Sequence, residues 1–154
     1  MANFIFNKAK TALAAGTLDL SSSVLRALAV STTSAGTPDP DDDFLADILG
    51  TTIDEISQTG YSRQTFANPA VSEDAVNDLA EVDYDDLNFG NSVAAGDTVI
   101  AILIYQQVGG DDSTPADDVL VAWIDTDSGG AISKVLGGGN LAFQVNAAGL
   151  INIL

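Results

Sequence analysis

The chain has 154 residues, 46% of them hydrophobic and 18% charged, and its 22 Asp+Glu against 5 Lys+Arg give a formal net charge of −17. That apolar content excludes a disordered chain, and the charge excludes electrostatic binding to nucleic-acid phosphates or anionic lipid. The sequence holds no Cys and no His, which removes disulfide frameworks, thiolate and imidazole metal sites, cysteine nucleophiles, Ser-His-Asp catalysis and the commonest general base.

At the start, the apolar run Phe4-Ile5-Phe6 precedes a short helix over Lys8–Ala15, with Asn7 placed to cap it and Gly16 to end it. A signal peptide would set its charge ahead of a longer apolar stretch. The most apolar window, Val99–Tyr105, falls far short of the ~20 residues that span a bilayer. Thr17–Leu20 and Val24–Val30 read as extended segments around Ser21, Ser22 and Ser23. The second also fits helical spacing, and its shortness and Ser/Thr flanks decide for a strand. Ser31–Asp43, with two prolines, one glycine and four aspartates, is a loop. Phe44, Leu45, Ile48 and Leu49 recur at helical spacing, with Asp42 and Asp43 near the positive end of that turn and Gly50 stopping it. Arg63–Val71 is a weakly alternating extended segment, which Pro69 places at an edge or a strand end.

The second half reads more clearly. Ala80–Phe89 alternates, turning Val82, Tyr84, Leu87 and Phe89 inward. Thr98–Val108 is a near-continuous apolar run with β-branched residues, the pattern of a central strand covered on both faces. Gly109–Asp118 is a turn, and Val119–Asp125 returns as the hairpin partner, with Trp123 in the core pattern. Ser128–Gly139 is glycine-rich and flexible at its ends, and Leu141–Val145 and Gly149–Leu154 are two short strands. The expected fold is all-β, mainly an antiparallel β-sandwich with one or two short helices, forming a single domain over residues 1–154.

Nineteen of the 22 acids are Asp, gathered between the apolar runs. Asp builds turns by bonding the backbone just ahead of it, so these clusters read as solvated loops. Asp125-x-Asp127-x-Gly129 resembles the start of a calcium loop, yet Gly129 and Leu136 stand where that pattern needs a ligand. A carboxylate pair for glycoside hydrolysis would need an apolar cleft with aromatic platforms, and Gly137-Gly138-Gly139 has no Lys-Ser/Thr behind it to make a phosphate loop. No catalytic residue, cofactor or metal is therefore expected. The candidate partner contact is the N-terminal segment, Ala2 to about Lys10. Phe4, Ile5 and Phe6 cannot all face one side of a strand, and Lys8 and Lys10 follow, two of only five basic residues. At least one of the three apolar side chains must leave this domain's core unless the segment is covered on both faces.

Read end to end, the chain runs FNKAKTALAAGTLDL, VLRALAV, an acid-rich loop into DFLADI, TGYSRQTF, VDYDDLNFG, VIAILIYQQVGGDDSTPADDVLVAWID and LAFQVNAAGLINIL. This order of segments resembles a family of small virion proteins from tailed bacteriophages, across nearly the whole chain. The resemblance implies a non-enzymatic structural component of the virion, made in the host cytoplasm. A compact domain without heptads suits a cap better than a shaft, and its acidity suits an outer face better than a lining beside DNA. The preferred expectation is thus a capsid decoration (cement) protein on the major capsid protein or another virion protein. The low charged fraction points to a homo-oligomer, a trimer in preference. The alternatives are a tail or head-fibre component, a cation-binding adhesive module and a hydrolase.

Overall fold

The computed structural model describes residues 3–145 and 150–153. Short strand β1 (Phe4–Ile5) leads into helix α1 (Asn7–Ala14), then β2 (Leu25–Ser31) and a single helical turn, α2 (Leu45–Ile48). β3 (Gln64–Thr65), β4 (Ala70–Asp74), β5 (Leu79–Asp83) and β6 (Leu87–Gly90) precede the longest strand, β7 (Thr98–Gln106). After it come β8 (Val119–Ile124), β9 (Thr126–Asp127), β10 (Gly130–Ala131), β11 (Lys134–Val135), β12 (Leu141–Phe143) and β13 (Ile151–Ile153). The fold is all-β with antiparallel sheets and two short helices, as the turn-rich, strand-patterned sequence implies.

β7 stands at the centre of a sheet ordered β1-β8-β7-β2-β3. Leu103 faces Leu28 on one side and Trp123 on the other, and Trp123 in turn faces Phe4. β11 takes up the β8 side of β7 further along, at Thr98 and Val99, so that β8 and β11 form one interrupted line with the β9–β10 hairpin projecting between them. Both faces of this sheet are covered, which explains the unbroken apolar run of β7. One face packs Leu28, Val30, Leu103, Tyr105, Leu120 and Trp123 against Phe6, α2 and Ile53. The other packs Ala27, Ala29, Ile102, Ile104 and Val121 against Ala9 of α1, the Leu18–Leu20 turn, and Val82, Tyr84, Leu87, Phe89 and Leu141. These last come from the second layer, the sheet β13-β5-β4 and the pair β12-β6. Val82, Tyr84, Leu87 and Phe89 all turn inward, as their alternation predicts.

Several boundaries differ from the sequence reading. α1 begins at Asn7 rather than after it, and Phe6 holds the cap position, because the Asn7 side chain is drawn to Asp41. Gly16 ends α1 as expected, at φ 68°. Thr17–Leu20 is a turn rather than a strand, because Asp19 bonds ahead to Ser21 and Ser22 while Leu18 and Leu20 plug the core. The Arg63–Val71 segment divides into β3 and the start of β4, on either side of Asn68 and Pro69. The glycine-rich stretch from Ser128 contains β10 and β11, and the strand read as Leu141–Val145 is confined to Leu141–Phe143. Of the last expected strand, Gly149 and Leu154 lie outside the described residues, whereas Ile151–Ile153 pair with β5.

Beyond β3, the outer edge of β2 is sealed by a different segment. Ser31 N–H donates to Asp54 C=O (2.8 Å), Ile56 N–H donates to Ala29 C=O (2.9 Å), and Ala29 N–H donates to the Tyr61 hydroxyl (2.9 Å).

Candidate functional site

The N-terminal segment is covered on both faces. Phe6 is fully buried and Phe4 and Ile5 are half-buried. The Phe4 and Phe6 rings meet edge to face at 5.0 Å on one side of the sheet, and Ile5 packs into the core on the other. The alternation that forbids three side chains on one face is satisfied within the domain by two cores. Lys8 meets an acidic loop of its own chain: Nζ lies 3.1 Å from Asp43 Oδ2 and 4.6 Å from the centre of the Phe44 ring. Asn7 N–H donates to Pro40 C=O (2.9 Å), so α1 is fastened to the loop at two levels. Lys10 is exposed, and its Nζ donates to Asn7 Oδ1 at 3.1 Å. Of the expected contact residues, Phe6 is buried, Phe4, Ile5 and Lys8 are half-buried and Lys10 is the most exposed; Ala2 lies outside the described residues.

The aspartate clusters build turns. Asp39 accepts from Asp41 N–H (2.9 Å), Asp111 from Ser113 N–H (2.8 Å) and Asp127 from Gly129 N–H (2.7 Å). The last closes the tight turn at Ser128–Gly129 between β9 and β10. Bonds from Ser21, Asn77 and Ser113 hold the carboxyls of Asp19, Asp74 and Asp111 below the usual range. Among the described residues, no three acids converge in a metal-holding geometry. Trp123 is buried in the sheet, away from any sugar-stacking position.

A half-buried polar network at one end of the sheet uses both arginines of the chain. Arg63 grips Glu55 with two nitrogens, Nε to Oε1 at 2.9 Å and Nη2 to Oε2 at 2.6 Å, and its Nη1 donates to the Tyr105 hydroxyl at 3.3 Å. Tyr105 donates in turn to Asp112 Oδ1 (2.7 Å), which also accepts from Gln107 Nε2 (2.9 Å), while Asp112 Oδ2 receives Arg26 Nη1 at 2.6 Å. Tyr61 closes the other end by donating to Glu55 Oε1 at 2.9 Å. Burial works against the Arg63 charge, and the bonded Glu55 carboxylate outweighs it and strengthens the guanidinium's hold on its proton. Burial also raises both tyrosines, helped by the facing carboxylates, so both hydroxyls stay protonated at neutral pH. The network therefore locks the 55–63 segment and the 109–118 loop onto β2 and β7. Beside it, an open polar groove is lined by Thr32, Thr33, Asp54, Gln58 and Asp97, and its groups bond each other: Thr33 Oγ1 donates to Asp54 Oδ2 at 2.9 Å, and Ser31 Oγ to Asp97 Oδ1 at 2.8 Å.

Asp118 completes the 109–118 loop. It is 0% exposed, and its Oδ1 accepts from Val108 N–H at 2.9 Å. Its Oδ2 has no partner among the described residues, and burial raises its pKa.

The chain matches no family model, no curated protein and no solved structure.

Sequence reasoning missed the network because its members stand far apart along the chain. A signal was present all the same: in a chain with 5 basic residues, Arg26 interrupts the apolar run VLRALAV. A cation in such a position needs a buried carboxylate opposite it.

Proposed function

We propose that the chain is a non-enzymatic structural protein of a tailed-phage virion, a capsid decoration (cement) protein on the outer face of the shell. It binds the major capsid protein or another virion protein as a homo-oligomer, with a trimer preferred. The observation that supports this reading is the disposition of charge. Lys8, Arg26 and Arg63, three of the 5 basic residues, are tied to carboxylates of their own chain, which leaves the exterior dominated by aspartate turns. Such a surface is suited to the medium and repelled by packaged DNA. The order of sequence segments resembling small phage virion proteins supports the same class.

The test is immunogold microscopy, with antiserum against the purified chain, on particles made by the genome that encodes it. Label spread over the capsid of intact particles is the expected result. Label confined to the tail transfers the protein to the tail or head-fibre reading, and no label on intact or disrupted particles overturns the virion assignment. Sedimentation tests the oligomer separately: a monomer mass both free and on the particle removes it.

A further inference from the structure

In the second layer, β4 pairs with β5 on one side only, and no described strand lies along its other side. The far side of β5 shows which backbone groups this leaves open. Leu150 N–H donates to Val82 C=O at 2.9 Å, so the peptide groups of Val82 turn toward β13. Opposed residues of an antiparallel pair direct their peptide groups either at each other or away from each other. Val71 stands opposite Val82, so its N–H and C=O face outward, and by alternation so do those of Glu73. No hydrogen bond among the described residues reaches them.

The side chains and the turn add to this open edge. Val71 is 60% exposed and shares a shallow groove with Leu13, Leu18, Leu20 and Val82. The hairpin tip is held in shape by Asp74 Oδ1, which accepts from Val76 N–H (2.9 Å) and Asn77 N–H (3.2 Å). The edge is thus presented in a fixed form. The surrounding charge has one sign: Glu73, Asp74, Asp78, Glu81 and Asp83 lie on this hairpin, and the sequence from 64 to 133 contains no Lys or Arg.

We propose that β4 is a docking edge for an extended basic segment of a partner protein, which adds as a further strand. Its backbone bonds the outward groups of Val71 and Glu73, one apolar side chain settles over Val71 and the groove, and its basic side chains meet the acids of the hairpin. A second copy of β4 is a poor occupant, because it would bring the same acids against each other. This inference goes beyond the particle reading, and its test contains no particle, so the two fail independently.

The probe is a fluorescein-labelled octapeptide of alternating Lys and Val, compared with the same peptide N-methylated at every amide. Expected are binding of the first by fluorescence anisotropy, at least tenfold weaker binding of the second, and slowed hydrogen exchange at the Val71 and Glu73 amides. Val71→Pro removes an outward N–H and should weaken binding to the same degree. If that variant does not fold, the peptide pair still decides. Equal binding of the two peptides reduces the effect to bulk charge and overturns the proposal, as does a failure of the unmodified peptide to bind or a Val71→Pro chain that folds and binds as before. Self-association of the free chain that Val71→Pro abolishes gives the edge to a second copy and also overturns it.

Discussion

Asp118 closes the β7–β8 loop through Val108 N–H while its own charge is disfavoured by burial. Its raised pKa fixes the sign of its pH dependence. Its contribution is fully present below the unfolded-state value near ~3.9 and is lost as pH rises through the higher folded value. Asp118→Asn keeps the accepting oxygen and removes the charge. It should raise Tm relative to the parent at pH 7, with the gain shrinking toward pH 3.5; a pH-independent difference refutes this. The comparison is needed because Asp19, Asp74 and Asp111, with lowered values, act in the opposite sense and lose their contribution as pH falls. Arg63 belongs at this scale too. Lysine cannot reproduce its two-pronged grip on Glu55, so Arg63→Lys should cost about 2 kcal/mol in urea unfolding, the range for hydrogen bonds to charged groups. Such pairings could not be read from sequence, since no periodicity connects Glu55 to Arg63 or Tyr105 to Asp112.

Among the elements, β1 tests how the N-terminus is used. With Phe6 fully buried, Phe6→Ala should destabilise the free protein by ~3–5 kcal/mol in urea unfolding, whereas Lys10→Ala should stay within ~0.5 kcal/mol. An unchanged midpoint for Phe6→Ala would show that β1 is not docked on β8. Deleting residues 2–6 should therefore unfold the chain, and Lys10 is the better position for probing particle retention. Elements whose pattern reflects burial were recoverable from sequence: β7 from its continuous apolar run, and the β5–β6 stretch from the alternation of Val82, Tyr84, Leu87 and Phe89. Elements settled by side-chain bonds to distant backbone were not. The turn at Leu18–Leu20 mimics a strand until Asp19 is seen bonding Ser21 and Ser22. Likewise, Asn7 is a plausible cap until the Asp41 loop approaches it. The second candidate surface, the β4 edge, was hidden for a related reason: an open edge depends on which strands neighbour it, not on its own residues.

At the scale of the whole molecule, the −17 charge should govern the response to salt. Aspartate turns distributed over one small surface repel one another, and a Debye length of ~10 Å at 0.1 M relieves part of that repulsion. Tm should rise from low to moderate NaCl, and calcium should add no more than its ionic strength explains. A Tm indifferent to NaCl rejects the repulsion account, and a saturable gain at micromolar calcium reveals a cation site. The broken line of β8 and β11 carries a different consequence. Both pieces are registered on β7, one ending at Ile124 opposite Ile102 and the other starting at Lys134 opposite Val99, and the exposed hairpin between them contributes little to either core. Doubling the length of such an excursion costs only ~0.6 kcal/mol in closure entropy. The tip at Ser128–Gly129 is accordingly a permissive splice point, where an epitope or a small folded cargo can be carried while the sheet beneath keeps its registration.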